Sequence, residues 1–104
     1  MPQPPVLTPE QRSQALVKAA EARRARAELK EMLKMGSLTL AELLERSGND
    51  INIDKMKVLA VIESLPGVGK VKARRTMEEI GISDTRRVKG LGLQQRKALL
   101  EAFR

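Results

Sequence analysis

Leu40, Leu43 and Leu44 fall three and four residues apart, and the same spacing recurs along most of the chain. That is the period of one apolar helix face. From Pro9 to about Met35 there is no Gly or interior Pro, and Ala, Leu, Lys, Arg and Glu dominate, all strong helix formers. Thr8 suits the N-cap, Pro9 the first helical position and Gln11 a capping box, while Gly36 suits the C-terminal cap. The prediction is one long helix, about 40 Å at 1.5 Å per residue. Its apolar side chains are mostly Ala, so much of it projects or lies along a partner.

Four shorter helices follow in this reading. Thr39 with Glu42 opens the second, Leu40, Leu43 and Leu44 line its buried face, and Gly48-Asn49 ends it. NDINI reads as a loop. Asp54 caps a third helix from Lys55 to about Ser64, with Met56, Val58, Leu59, Ile62 and Leu65 as its stripe and Pro66 as its stop. The fourth runs from Lys70 to about Ile80, with Val71, Ala73, Met77 and Ile80 inward and Gly81 closing it. ISDTRRVK is a connector, and Leu93–Phe103 is the last helix, with Leu99, Leu100 and Phe103 inward. No segment alternates as a strand does. The fold class is all-α: a Pro-rich arm over residues 1–7, a long helix over 8–36 and a compact unit over 37–104.

Charge changes the picture. The 104 residues carry a net +7, with 32% charged residues. The half from residue 55 onward holds 12 basic and 5 acidic side chains. This favours a polyanionic partner, nucleic acid before an acidic membrane surface. There is no Cys or His, and Phe103 is the one aromatic. Thiolate metal sites, disulfides and base stacking on aromatic platforms are excluded or disfavoured. No metal site, cofactor or small-molecule substrate is expected. No apolar run approaches the roughly 18 residues of a membrane span, and no secretory signal is present, so the expected location is cytoplasmic.

The basic excess gathers around two glycine turns. Gly67-Val68-Gly69 precedes Lys70, Lys72, Arg74 and Arg75; Gly90-Leu91-Gly92, 23 residues later, follows Arg86, Arg87 and Lys89. Glycines let the backbone take positive φ and come close to a partner. A helix start offers free N–H groups and the positive end of its dipole, which suits a phosphate, and Lys70 adds a full charge. Val68 can anchor the first turn in the core. A Gly-x-Gly turn alone also serves as a plain corner between helices. Two of them beside basic clusters in a basic chain favour a duplex phosphate backbone, which supplies affinity without sequence information. Arg23, Arg24 and Arg26 on the long helix admit two readings: a secondary DNA contact, or a solvated surface interspersed with Glu21, Glu28 and Glu31.

LPGVG also resembles the hairpin of helix–hairpin–helix DNA glycosylases at Leu65, Pro66, Gly67, Val68, Gly69 and Ala73. Lyase-type members place a nucleophilic lysine where this chain has Val71. Asp84 then reads as a helix cap rather than a catalytic carboxylate. With no His, Cys or Tyr and no room for a base-flipping pocket, no enzyme is expected.

The combined pattern KMKVLAVIESLPGVGKVKARRTMEEIGISDTRRVKGLG, preceded by LTPEQRSQALVKAAEARRARAELKEMLK, resembles the actinobacterial integration host factors and covers nearly the whole chain. The resemblance implies a helix–two-turns–helix module. It also implies a nucleoid-associated protein that binds double-stranded DNA with little sequence preference, bends or compacts it, and assists phage integrase. Carried over, the phosphate-binding turn lies at Gly67 to Lys70 and the basic segment at Arg86, Arg87 and Lys89; family members often have Arg where Lys89 stands. An RNA-binding or ribosome-associated use of the same module is the runner-up, and weak self-association through the long helix is a third reading.

Overall fold

The computed structural model describes residues 8–103, so the expected N-terminal arm lies outside them. The described chain is all-helical: α1 (Pro9–Met35), α2 (Leu40–Arg46), α3 (Ile51–Lys55), α4 (Val58–Ser64), α5 (Gly69–Ile80), a 3-10 turn (Val88–Gly90) and α6 (Leu93–Ala102). The ends of α1 and α2 follow their caps. Thr8 Oγ1 accepts from the Gln11 N–H at 3.1 Å, and Gln11 returns a side-chain oxygen to the Thr8 N–H at 3.0 Å. Gly36 closes α1 at φ 79°, where its N–H reaches the Leu33 carbonyl. Thr39 and Glu42 repeat the box for α2.

The middle of the chain departs from the expectation of a loop followed by one ten-residue helix. NDINI is not a loop: Asp50 caps α3, its carboxylate accepting from the Asn52 N–H at 2.9 Å, and Ile53 is fully buried. The turn-forming letters Asn and Asp act here as caps. Asp54 caps nothing downstream and instead reaches back to α2. The helix expected over residues 55–64 is broken at Met56-Lys57, whose backbone is extended. Those residues pair antiparallel with the later connector: the Val58 N–H donates to the Arg86 carbonyl and the Val88 N–H to the Met56 carbonyl, both at 2.9 Å. The exchange satisfies backbone groups that a continuous helix would have satisfied internally.

Helices α1 (through its C-terminal end), α2, α3, α4, α5 and α6 enclose one apolar core, centred on Leu33, Leu43, Ile53, Ile62, Met77 and Leu99, none measurably exposed. No polar or charged residue is buried among those described. Two inward assignments change. Val71 is 73% exposed, on the side of α5 away from Ala73 and Met77, and Val61 takes a core position not assigned to it. Leu59, Leu65, Leu100 and Phe103 pack against the core from its margin. In α1 the first buried side chain is Leu29; residues 9–21 are exposed throughout, Leu16 at 64%.

One polar cluster ties three helices together. Asp54 accepts from the Ser47 hydroxyl and the Gly48 N–H, both at 2.9 Å, while Arg96 of α6 donates to Ser47 Oγ at 3.1 Å and to the Leu44 carbonyl at 3.4 Å. The Gly48 and Ser47 hydrogen bonds, assisted by the charges of Lys89 and Arg96, hold the Asp54 carboxyl below its ordinary value of 3.8.

Two measurements follow. Leu33→Ala, at the point where α1 enters the core, costs about 2–5 kcal/mol in urea unfolding, whereas Leu16→Ala stays within about 0.5 kcal/mol. Equal effects would mean that the outer half of α1 is packed. Because folding depresses the Asp54 pKa, its charge stabilises the fold at pH values above 3.8, and that contribution is lost as pH falls through the lower folded-state value. Melting temperatures of wild type and Asp54→Asn should therefore differ at neutral pH and converge in acid; a gap independent of pH contradicts the assignment.

Candidate nucleic-acid interface

The first glycine turn is built by the chain between α4 and α5. Pro66 follows the last turn of α4, and Gly67 and Gly69 take φ of 74° and 70°. Val68, between them, packs against the core, so the turn is pinned from inside while its glycines face outward. No side chain caps α5 and no acid occupies its first turn. Among the described residues no acceptor takes the N–H of Gly67, Gly69 or Lys70. A Cβ at Gly69 would meet nothing within 4 Å, so the obstacle to a side chain there is not a steric clash but the left-handed backbone.

The second turn has another geometry. Neither Gly90 nor Gly92 has positive φ, and Gly92 is extended at φ −76°. Its amides are already bonded: Gly90 N–H to the Arg87 carbonyl at 2.9 Å, Leu91 N–H to the Val88 carbonyl at 3.1 Å, and Gly92 N–H to the Gln95 side chain at 3.1 Å. What the two turns share is a middle residue packed into the core, Val68 in part and Leu91 fully, and not a pair of open anion sites. Gly90 has a steric duty instead. Its absent Cβ would stand 3.0 Å from Arg86 Cδ, and Arg86 folds over it to donate to its carbonyl at 3.4 Å.

The cations expected in the site occupy several faces. Lys70 sits beside the first turn, in a recess with Lys30, Lys34, Gly67 and Gly69. Arg74, one turn further along α5, lies on the same flank. Arg75 points outward. Lys72 is on the opposite flank, where it lines an apolar recess with Leu65 and Phe103. Arg87 is held by its backbone pairing to Lys57 and by its guanidinium, which donates to the Lys55 carbonyl. Lys89 lies close enough to Asp54 to lower its pKa. Asp84 sits in the tight turn closed by Arg86 N–H to the Ser83 carbonyl, and heads no helix.

The structure also brings together cations that lie far apart in the sequence, Lys30, Lys55 and Lys57 among them. Arg23 and Arg26 of α1 share an open groove of about 400 Å³ with Lys30, Lys55, Lys57 and Arg87. Arg24, adjacent in sequence, does not line it. The signal was present in the spacing: Arg23, Arg26, Lys30 and Lys34 recur every three or four residues on one face, whereas Arg23-Arg24-Arg26 is a cluster only in the linear sequence.

No described group of His, Cys, Asp and Glu is arranged to hold a metal ion, and no described helix is long and apolar enough to cross a membrane. The S13-like H2TH domain family matches residues 33–103, starting inside the last turn of α1. The integration host factor of Mycobacterium tuberculosis is 58% identical over 99 residues, 95% of this chain and 94% of that protein. Its Streptomyces coelicolor counterpart is 54% identical over 99 residues, 95% and 92% of the two chains. A solved structure of sIHF bound to an 8bp palindromic DNA superposes with a TM-score of 0.81 at 50% identity, covering 84% of this chain and 98% of that one. With identity at this level over nearly the full length of both mycobacterial and streptomycete relatives, the chain belongs to the actinobacterial integration host factor family, with an S13-like H2TH domain over residues 33–103.

Proposed function

We propose that this protein is a non-enzymatic, nucleoid-associated architectural protein that binds duplex DNA through its phosphates with little sequence preference. The carrying observation is the outward-facing Gly67–Lys70 turn: amides without an internal acceptor, at the uncapped start of a 12-residue helix, beside a lysine. Such a start holds an anion by N–H donation and dipole together. Arg86, Arg87 and Lys89 supply a second cationic segment. In this reading the binding unit is residues 37–104 with the docked end of α1, and it works in the cytoplasm on the nucleoid. The DNA held by the sIHF relative supports a duplex partner.

The mechanism is positional. Phosphate contacts fix a protein on the duplex without reading base edges. Phe103, the one aromatic, packs against the core, so no described aromatic is free to wedge between bases. Contacts at two separated segments bend or compact DNA when the rigid domain holds them off the line of a straight duplex. Assistance to phage integrase follows as a consequence of shaping the attachment site, and rests on family membership.

The test is affinity for a duplex of about 30 base pairs across a salt series, where each neutralised phosphate contributes about −0.9 to the log–log slope. A slope near −5 and a preference over an RNA duplex of equal length are expected, for about five or six contacts. Arg86→Glu/Arg87→Glu weakens binding by about a hundredfold or more, because two attractions become repulsions. Thermal melting checks that this variant is folded, since Arg87 also holds Lys55. A shallow slope, a preference for RNA, or a folded double variant that binds normally overturns the reading.

A further inference from the structure

The groove between α1 and the α3–α4 junction is walled by cations from three separate elements. Helix α1 supplies Arg23, Arg26 and Lys30; the junction supplies Lys55 and Lys57; the connector supplies Arg87. Its described lining holds no carboxylate. Like charges gathered this densely repel one another; the carboxylate of Glu21 shares an adjoining recess with Arg26 and Lys55, outside the groove lining. Lys30 and Ala60 line both this groove and the recess of the glycine turn, so the two are continuous, with Glu63 as the one acid at the turn end.

We infer that this groove extends the phosphate track of the glycine turn along the same duplex, with α1 as its outer wall. The inference rests on the duplex-DNA reading above and adds Lys30, Lys34, Lys55 and Lys57 to the contacts. Arg23, Arg26, Lys30 and Lys34 form a stripe of about 16 Å at 1.5 Å per residue. That length matches about five phosphates of one strand at 3.4 Å each along the axis. The groove is an open furrow of about 400 Å³, which suits a strand of phosphodiester backbone lying along it and not an enclosed small molecule. Arg87 joins the two parts, since it belongs to the connector and lines the groove. Helix α1 therefore acts as a binding element and not as a spacer.

The experiment compares two doubly neutralised proteins on one duplex. Lys30→Gln/Lys57→Gln removes a cation from each wall. Arg46→Gln/Lys97→Gln removes two exposed cations that line neither the groove nor the turn recess. The groove variant should lose nearly two from the magnitude of the salt slope, at about 0.9 per phosphate, and about tenfold or more in affinity. The control should keep the wild-type slope, and Lys30→Arg/Lys57→Arg should restore it; circular dichroism confirms unchanged helix content in each. Wild-type binding with an unchanged slope in the groove variant overturns the groove alone. Absence of salt-dependent binding in the wild type overturns the DNA reading itself. Equal losses in both doubles reduce the effect to net charge and overturn the groove. If the groove variant keeps its slope but an immobilised duplex no longer captures a second, unlabelled one, the groove holds another duplex and the single-track inference fails.

Discussion

The paired backbone between Met56–Val58 and Arg86–Val88 is the constraint on which the candidate interface depends. Two N–H to carbonyl bonds at 2.9 Å join segments about thirty residues apart. They break what would otherwise be one helix into α3 and α4, turn the chain at Lys57, and hold the Arg86–Lys89 connector against that turn. Without the pairing the connector would be a solvated loop, and its cations would lose their fixed place relative to α1. Val88, buried at the start of the 3-10 turn, locks the connector from the core side. A short exchange of backbone hydrogen bonds thus fixes the position of charges, which carry no such directionality of their own.

The two glycine turns illustrate how a shared sequence pattern can serve different ends. Both pack a middle aliphatic residue against the core, and both precede a helix. Only the first has left-handed glycines and amides without an internal acceptor. In the second, the residue three positions past Gly92 is Gln95, which caps the helix start itself. In the first, the corresponding residue is Lys72, which cannot accept a hydrogen bond. A single acceptor at that position separates an open helix start from a closed one.

That difference also marks what was legible in the sequence. The long helix, its two caps, the α2 box and the stop at Gly81 all follow from local chemistry and could be read directly. The break at Met56-Lys57 could not, because its cause is a partner segment far along the chain, and single-segment periodicity is blind to non-local pairing. NDINI carries a related ambiguity: Asn and Asp favour loops and helix starts alike, and burial of Ile53 decides between them. At the candidate interface, the positive φ of the Gly67–Gly69 turn is legible from its glycines, while the groove follows helical face and not the sequence adjacency of Arg23, Arg24 and Arg26. Lys55 and Lys57 had no sequence signal at all, since only the fold sets them opposite α1.

Helix α1 connects these points through its own energetics. Its exposed outer part makes no core contact, and an isolated helix is marginal because its first turn is costly to form. The docked end, with Leu29 and Leu33 buried, supplies that nucleus, and the Thr8 box closes the far end. Between them, Arg26–Lys30 and Lys30–Lys34 are like-charge pairs four residues apart, each opposing the helix by a few tenths of a kcal/mol. On the proposed track, a duplex lying along the stripe would turn that repulsion into attraction. The charges that weaken α1 in the free protein would then stiffen it on DNA, so that binding and helix stability would rise together and share one dependence on salt.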